Sequence, residues 1–331
     1  MIYLMLQKNG LGNQMFSYAY ARYLMELYQC GIAINPYEFY DGKEIEYIDE
    51  RNISLQHFQL NESVIYLDEQ GQMKCNRNFK WRYRFSCGLF NFIKSKFTHD
   101  DMRGEEPYIH RSRHGVYLNY EPKAYYKTVK SPHKNIYVRG HYQDKRYFDG
   151  IKHILKEEFC VKTSPSKKNM EMLDKISKTN AVCVHIRRGD YLNPYWSFLN
   201  VCDYDYYIQA MEYMMAHVEN PTFFIFSNCH KDIEWIKENY HFEDLMKNDA
   251  MSIEYVDLDN PDYEELRLMC ACKHFIISNS TFSWWAVYLS GNDSSIVCAP
   301  DRWDLKIEGD AGMNCDDWVI IQTRKKEYKR K

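Results

Sequence analysis

The stretch AVCVHIRRGDY, residues 181–191, decides the fold of the second half of the chain. Its first six residues form a short, mostly apolar run, which is typical of a buried strand. Two arginines and an aspartate follow directly at the end of this run. In open α/β sheets, ligands bind beyond the carboxyl ends of the strands, so these charged residues are candidate ligand contacts.

The residues around this stretch alternate between apolar runs of strand length and amphipathic segments of helix length. We expect strands at 222–226, 252–256, 274–278 and 295–299, and helices at 204–217, 231–240, 263–272 and 283–289. This alternation predicts a parallel sheet with helices on both faces.

The first half of the chain opens in the same manner. An apolar strand at 2–6 and a glycine turn at 9–14 precede a helically spaced apolar series from Met15 to Leu27. Strand, turn and helix predict a second α/β domain. Residues 35–135 allow no assignment, a helix is expected over 147–159, and residues 163–168 are interpreted as a linker.

Composition excludes several classes of protein. The 331 residues suffice for two domains, and 43 basic against 46 acidic residues do not indicate a nucleic-acid partner. The 11 cysteines contain no C-x-x-C pair, which argues against zinc and for free thiols in a reducing compartment. No secretory signal or membrane span is expected, so the predicted location is cytoplasmic. The basic run 324–331 is typical of a solvated tail and is compatible with peripheral contact with a membrane.

The two arginines carry the chemistry of residues 185–191. A guanidinium group forms a planar fork that matches the oxygens of a diphosphate. A nucleoside diphosphate is the leaving group of glycosyl transfer, and its charge grows in the transition state, so a fixed arginine can serve as the Lewis acid. The alternative is an Arg–Asp ion pair that caps the sheet.

Two further loops join a strand to a helix. In SNSTFSWW, residues 278–285, several hydroxyls adjoin the start of a helix and can hold phosphate oxygens, although an N-capping cluster is the alternative. In GLGNQ, residues 10–14, the glycines permit backbone N–H groups to approach an anion, although the loop lacks both the P-loop lysine and the G-x-G-x-x-G spacing. The sequence Phe226-Ser227-Asn228 at another strand end is a weaker signal.

Two Asp-x-Asp pairs, Asp203 with Asp205 and Asp257 with Asp259, are candidates for a metal that bridges a diphosphate. Because Arg187 can neutralise the phosphates, we expect no metal. His141 is a candidate for a residue near the acceptor, although a lone histidine is usually structural.

Segments 10–19, 185–191, 226–227 and 278–285 together resemble glycosyltransferase family 11, the α-1,2-fucosyltransferases, in order and spacing. The resemblance implies a GT-B fold, in which two Rossmann-like α/β domains face each other across a cleft. Residues 1–160 would bind the acceptor, 161–300 would bind GDP-fucose, and 301–331 would form a C-terminal extension with the basic tail. The implied reaction is inverting transfer of L-fucose from GDP-L-fucose, without a required metal, to the 2-hydroxyl of a terminal galactose in a glycan.

The resemblance also implies roles for single residues. Arg187 would bind the β-phosphate, His185 would lie beside the nucleoside, and Glu265, with Glu264 adjacent, would contact the guanine edge. Asp190 is either the base that accepts the proton of the acceptor hydroxyl or the partner that orients an arginine. The catalytic residues would thus be Arg187 and Asp190, and the donor contacts Gly10, Gly12, Asn13, Gln14, His185, Arg187, Arg188, Ser227, Glu265, Asn279, Ser280, Thr281 and Phe282.

The sequence departs from the family pattern at Asn9, where a second glycine is usual, and at residues 227–229, where Ser-Asp-Asp is frequent. Alternatives are another fucosyl linkage or another nucleotide sugar on the same fold. A non-catalytic glycan-binding protein could use the 29 tyrosines but would not need an arginine pair at a strand end. A P-loop kinase or sulfotransferase would need a phosphate-binding lysine in its glycine loop, and the loop at residues 10–14 has none.

Overall fold

The structure is a computed structural model. It describes residues 1–7, 9–36, 53–94, 103–119, 121, 124–246, 251–292, 294–306, 309–310 and 312–323. The chain divides into two compact units, residues 1–160 and 161–331. The basic run 324–331, on which the predicted tail contact with a membrane rests, lies outside the described residues. Among the described helices, none has the length and apolar character that crossing a bilayer requires.

The first unit is built on a five-stranded parallel sheet with the order β3-β2-β1-β5-β4. Its strands are β1 (Ile2–Leu6), β2 (Ile32–Pro36), β3 (Val64–Tyr66), β4 (Val116–Asn119) and β5 (Ile136–Gly140). Its helices are α1 (Leu11–Tyr28), α2 (Glu69–Lys94), α3 (Glu105–Arg113) and α4 (Lys152–Glu158). The glycine turn predicted at 9–14 connects the central strand β1 to α1.

Tyrosines form much of the core of the first unit. The ring of Tyr20, on α1, stacks on Tyr142 with ring centres 4.1 Å apart. Its hydroxyl lies 2.8 Å from that of Tyr108. These three side chains are fully buried. A buried tyrosine hydroxyl needs a hydrogen-bond partner. Tyr20 and Tyr108 supply it to each other, and the hydroxyl of Tyr142 donates to Arg139 O at 3.2 Å. This part of the high tyrosine content therefore serves packing.

The second unit is built on a six-stranded parallel sheet with the order β11-β10-β9-β6-β7-β8. Its strands are β6 (Asn180–His185), β7 (Pro221–Phe226), β8 (Ser252–Tyr255), β9 (His274–Ile276), β10 (Val297–Pro300) and β11 (Val319–Ile321). Its helices are α5 (Lys167–Ser177), α6 (Tyr204–His217), α7 (His230–Tyr240), α8 (Asp262–Cys270) and α9 (Thr281–Leu289).

Numbered from β6, the strand order of the second sheet is 3-2-1-4-5-6, the order of dinucleotide-binding domains. The strand order reverses between β6 and β9, which are parallel neighbours, and this switch point is where such sheets bind ligands. The core beneath it is a layer of fully buried side chains that includes Val182, Val184, Tyr206, Met211 and Phe223. Residues 181–185 of β6 are buried, as the sequence predicted, and β6 lies in the interior of the sheet.

The predicted elements of the second half are confirmed, with boundaries that differ by at most two residues. The fold class is also confirmed, since two Rossmann-like α/β domains in one chain are the architecture of the GT-B class. The predicted helix over 147–159 is wrong in its first half, where residues 145–147 and 149–151 form 3₁₀ turns. The predicted linker is shorter than expected because Ser166 caps α5, which begins at Lys167.

Candidate active site

Three loops meet at the carboxyl edge of the second sheet. They follow β9, β6 and β7, which are neighbours in the sheet, and comprise residues 277–280, 186–191 and 227–229. Because β6 lies between the other two strands, the loop at 186–191 contacts both neighbours. The structure therefore brings together the predicted sites at 185–191, 227–228 and 278–282.

Arg187 is fixed by its own loop. Its Nη2 donates to Asp190 Oδ1 at 2.6 Å, and its guanidinium carbon lies 5.4 Å from the centre of the Tyr191 ring. Its buried Nε has no hydrogen-bond partner among the described residues. A buried donor without an acceptor costs about 1–3 kcal/mol. The arginine is therefore positioned to receive an acceptor from a bound molecule.

Arg188 lies against a different element. Its guanidinium carbon is 3.3 Å from the centre of the Trp235 ring, and its Nε donates to Asp232 Oδ1 at 3.3 Å. Both partners belong to α7. Arg188 thus anchors the loop on α7, whereas Arg187 retains an unsatisfied donor. A donor contact of Arg188 remains a prediction.

The turn between the arginine pair and Asp190 has a tight backbone. Gly189 has φ +31°, and a Cβ on it would lie 2.9 Å from Asn228 Nδ2. Its N–H donates to Asp232 Oδ2 at 3.3 Å, and the N–H of Arg188 donates to Asn228 Oδ1 at 3.0 Å. Asn228 and Asp232 therefore hold the backbone that presents Arg187. Neither Asp232 nor Trp235 was predicted from the sequence as part of this site. The two residues lie one turn apart on the predicted helix, and this spacing is the signal that could have identified them.

His185 is a neutral residue at the carboxyl end of β6. It is 2% exposed, and its Nδ1 lies 3.0 Å from Ser278 Oγ. Burial, with a smaller contribution from Arg187, lowers the pKa of His185 to about 3. The contact with Ser278 joins the β6 and β9 loops, which the hydroxyl of Tyr191 also joins by donating to Asn279 O at 3.0 Å.

The four side-chain hydroxyls of the segment 278–283 differ in their hydrogen-bond partners. Ser280 Oγ caps α9 by accepting from the N–H of Phe282 at 3.3 Å, and Ser283 Oγ donates to Ser280 O at 3.1 Å. Since Ser278 is paired with His185, three of the four hydroxyls have partners within the domain. The hydroxyl of the half-buried Thr281 has none among the described residues. Thr281 is therefore the hydroxyl most available to a ligand.

Two other predicted donor contacts are tied into the scaffold. Asn279 Nδ2 donates to Leu199 O at 2.8 Å and to Trp303 O at 2.9 Å. Ser227 Oγ donates to Ile186 O at 2.8 Å and is 3% exposed. These side chains position the loops, and their contact with a donor remains a prediction.

The two glutamates of α8 differ in their surroundings. Glu264 accepts from Asn169 Nδ2 at 3.0 Å and lies 3.3 Å from Arg267 Nη2. Burial, with smaller contributions from the neighbouring carboxylates of Asp262 and Asp257, raises the pKa of Glu265 to about 8. Glu264 is thus committed to the scaffold, whereas Glu265 has acidic neighbours that leave its charge uncompensated.

In the first unit, the glycine turn is held by its own side chains. Gln14 is 1% exposed, donates from Nε2 to Asn9 O at 2.7 Å, and accepts at Oε1 from the N–H of Ser54 at 3.0 Å. Asn13 Oδ1 accepts from Gln143 Nε2 at 2.7 Å. The backbone of Gly10 accepts from the N–H of Asn13 at 2.9 Å. Gln14 and Asn13 therefore shape the turn, and an anion at Gly10 and Gly12 remains a prediction.

The Asp-x-Asp pairs also have local partners. Asp257 Oδ2 lies 2.6 Å from His230 Nδ1, and this contact raises the pKa of His230. Asp203 caps α6 by accepting from the N–H of Tyr206 at 3.3 Å. Burial and Arg139 lower the pKa of His141 to about 4. Within the described ranges, no group of three His, Cys, Asp or Glu side chains could hold a metal ion.

Two Rossmann-like units in one chain are the architecture of GT-B glycosyltransferases, and an arginine fixed at the switch point of the second sheet is compatible with that class. The family model described as "Glycosyl transferase family 11" matches residues 2–322. The chain therefore belongs to glycosyltransferase family 11, as the motifs predicted.

Named relatives share parts of the chain. An α-1,2-colitosyltransferase of Escherichia coli is 33% identical over 61% of this chain and 69% of its own. Human galactoside α-(1,2)-fucosyltransferase 1 is 34% identical over 42% of this chain and 38% of its own. Among solved structures, the fucosyltransferase NodZ from Bradyrhizobium is 13% identical, with a TM-score of 0.48, and the match covers 87% of this chain and 93% of that one.

Proposed function

We propose that the enzyme transfers L-fucose from GDP-L-fucose to the 2-hydroxyl of a terminal galactose, with inversion at the anomeric carbon. The observation that carries this proposal is Arg187. It lies at the switch point, is held by Asp190 at 2.6 Å, and retains a buried Nε without a partner among the described residues. In this proposal, residues 161–300 bind the donor and residues 1–160 bind the acceptor.

The diphosphate would be held by side-chain and backbone donors. Arg187 offers its Nε and the second arm of the guanidinium fork, and Thr281 offers a hydroxyl at the first position of α9. The helix N-terminus favours the negative charge that accumulates on the β-phosphate as the glycosidic bond breaks. These groups can stabilise the leaving group without a metal, so we propose that none is required.

The guanine base would be held by Glu265. Guanine presents the N1–H and N2 amino donors side by side, and a carboxylate accepts from both. Burial and the acidic neighbours of Glu265 raise its pKa to about 8, because no cation among these causes compensates its ionised form. Two donors from a base would supply that compensation. Glu264 is unsuited to this role because Asn169 and Arg267 already engage it.

The transfer step follows from inversion. The oxygen of the acceptor 2-hydroxyl bonds to the anomeric carbon on the face opposite GDP, while the bond to the β-phosphate oxygen breaks and its electron pair leaves with GDP. The hydroxyl proton must go to a base or to solvent. Asp190 accepts from Arg187, and this contact favours the orienting role over the role of base.

The 1,2 linkage is supported by the relatives, which are named for α-1,2 transfer of fucose or colitose. Colitose is the 3-deoxy counterpart of L-fucose, so a GDP-colitose donor is a second candidate. The 33% identity to the colitosyltransferase supports this second candidate, as the 34% identity to the human fucosyltransferase supports GDP-fucose. If the site donates or accepts a hydrogen bond to the 3-hydroxyl of fucose, it would prefer GDP-fucose. With colitose, which lacks this hydroxyl, the protein group would be left buried and unpaired, and this is costly.

The test is to incubate the purified protein with GDP-fucose or GDP-colitose and a panel of β-galactosides in the presence of EDTA. Product linkage would be read by NMR. An α-1,2-fucosylated galactose supports donor, linkage and metal independence together. Activity that appears only with added manganese would overturn metal independence and direct attention to Asp257 and Asp259. A product from GDP-colitose alone would replace the donor assignment.

A further inference from the structure

The outer face of α2 carries large apolar side chains that point away from the core. Each of four such residues is more than half exposed: Met73, Trp81, Phe85 and Phe92. The first three recur at multiples of four residues and share one side of the helix. The Trp81 and Phe85 rings stack with centres 5.7 Å apart. Exposed aromatic rings that pack on each other at the surface of a helix are a candidate interaction site.

The opposite face of α2 packs against the core of the first unit. Cys75, Phe79 and Phe90 are at most 4% exposed, and the first two join Met5 and Leu118 in a core cluster beside the first sheet. The exposed aromatics of the outer face therefore contribute nothing to this core. Their presence on a helix that is already packed calls for another explanation.

The same helix is strongly basic. Residues 69–92 contain one acidic side chain, Glu69, against five basic ones: Lys74, Arg77, Lys80, Arg82 and Arg84. A shallow, open surface on the outer face is lined by α2 residues alone, among them Arg77, Trp81 and Arg84. Cations thus flank the aromatic pair, although the whole chain has a net charge of −3.

We propose that the outer face of α2, defined by Met73, Arg77, Trp81, Arg84 and Phe85, docks the enzyme on an anionic lipid surface. An amphipathic helix with aromatic residues and cations lies in the plane of the interface, with its rings at the boundary between headgroups and acyl chains. Arginine and lysine side chains then reach the phosphates of anionic lipids. This proposal does not depend on the identity of the donor or acceptor.

Charge favours a lipid surface over other occupants. If a second copy paired through the same face, Arg77 and Arg84 would meet the same cations in the partner, and like charges repel at short range. A nucleic-acid strand would also neutralise the cations, but it would leave the exposed aliphatic side chain of Met73 without an apolar environment. An anionic bilayer neutralises the cations and accepts the apolar side chains.

The test is sedimentation of the full chain with unilamellar vesicles of phosphatidylcholine, with or without about 30% phosphatidylglycerol. We expect binding to the anionic vesicles alone, and weaker binding as salt rises from about 50 mM to about 500 mM. The double variant Arg77→Gln/Arg84→Gln should bind about 30-fold more weakly, because each cation near the surface contributes about a fivefold factor. Trp81→Ala/Phe85→Ala should bind at least about tenfold more weakly.

A matched control changes two exposed lysines of α5, Lys167→Gln/Lys168→Gln, and should bind as the parent does. The arginine and lysine variants should keep the unfolding temperature of the parent, since their side chains are exposed. Trp81→Ala/Phe85→Ala also removes the contact between the Phe85 and His114 rings, so its fold is checked by circular dichroism. The emission of the parent should shift to shorter wavelength with anionic vesicles, and Trp81→Phe should lose this shift.

Several outcomes would overturn the proposal. The parent could fail to bind anionic vesicles, or the α2 variants could bind as tightly as the parent while removal of residues 324–331 abolishes binding. Light scattering could show a dimer that the α2 variants dissociate, which would assign the face to a second copy. A labelled oligonucleotide could bind more tightly than vesicles and lose affinity in the same variants, which would assign it to nucleic acid.

Discussion

Arg187 Nη2 and Asp190 Oδ1 lie 2.6 Å apart, and this contact leaves Arg187 Nε as a buried donor without a partner among the described residues. The carboxylate holds one arm of the guanidinium fork, so the remaining donors have a fixed direction before a ligand arrives. Fixed donors stabilise developing charge more effectively than donors that must reorganise. The short loop 187–190 therefore orients the group that we propose to bind the diphosphate.

The first prediction concerns the arginine fork. Arg187→Lys should weaken GDP binding by about tenfold or more and lower turnover by about 100-fold, because lysine cannot form a bidentate contact or keep the pairing with Asp190. Isothermal titration with GDP and steady-state kinetics measure the two effects. The control is Arg188→Lys, which should mainly lower the unfolding temperature, since Arg188 stacks on Trp235. Normal transfer by Arg187→Lys would refute the phosphate assignment.

The second prediction separates the two roles of Asp190. If Asp190 orients Arg187, Asp190→Asn should weaken GDP binding and lower kcat together, because an amide pairs weakly with a guanidinium. If it is the base, GDP affinity should persist while kcat falls and the acidic limb of its pH profile disappears. The contact at 2.6 Å leads us to expect the first result. GDP titration of the variant beside its pH–rate profile decides between them.

How far the sequence predicted this site depends on how local each signal is. The strand ends that carry Arg187 and Thr281 were predictable because an apolar run followed by polar residues is a local pattern. The different roles of the two arginines were not predictable, because Arg188 is held by Asp232 and Trp235, which lie more than 40 residues away in the sequence. The resemblance to the family assigned the β-phosphate to Arg187 and a donor contact to Arg188, but nothing in the sequence indicated that Arg188 packs on α7.

The first unit shows a different limit. The inward series Cys75, Phe79 and Phe90 has helical spacing, but Trp81 and Phe85 on the outward face obscure the apolar period that identifies an amphipathic helix. The helix α2 was therefore missed over a region in which no element could be assigned. The residues that hid the helix are those that we propose to contact lipid.

The third prediction is a pH dependence of GDP binding through Glu265. With a pKa of about 8, this carboxyl holds a proton at pH 7, and a guanine edge requires its ionised form. GDP affinity should therefore increase as pH rises from about 6 to about 8, by at most about tenfold per pH unit, and then level off. Titrations at several pH values measure this slope. Glu265→Gln should abolish it, whereas retention of the slope in that variant would exclude Glu265.

The fourth prediction concerns the same carboxyl in the unliganded protein. Its pKa is raised above the ordinary value of 4.5, so the folded state holds a proton that the unfolded state releases. The contribution of Glu265 to the free energy of unfolding is thus fully present below about pH 4.5 and is lost as pH rises through about 8. Glu265→Gln should raise the unfolding temperature at pH 9 more than at pH 6. Glu264→Gln is the matched control and should lower it, because it weakens the contacts with Asn169 and Arg267.

The fifth prediction divides the hydroxyls at the start of α9. Thr281→Val removes the hydroxyl without a partner in the described structure and should weaken GDP binding by about fivefold to tenfold with little change in stability. Ser280→Ala removes the helix cap and should cost about 1 kcal/mol of stability. GDP titration and thermal unfolding of both variants measure these effects. If Thr281→Val bound GDP as the parent does while Ser280→Ala lost affinity without losing stability, the phosphate contact would belong to Ser280.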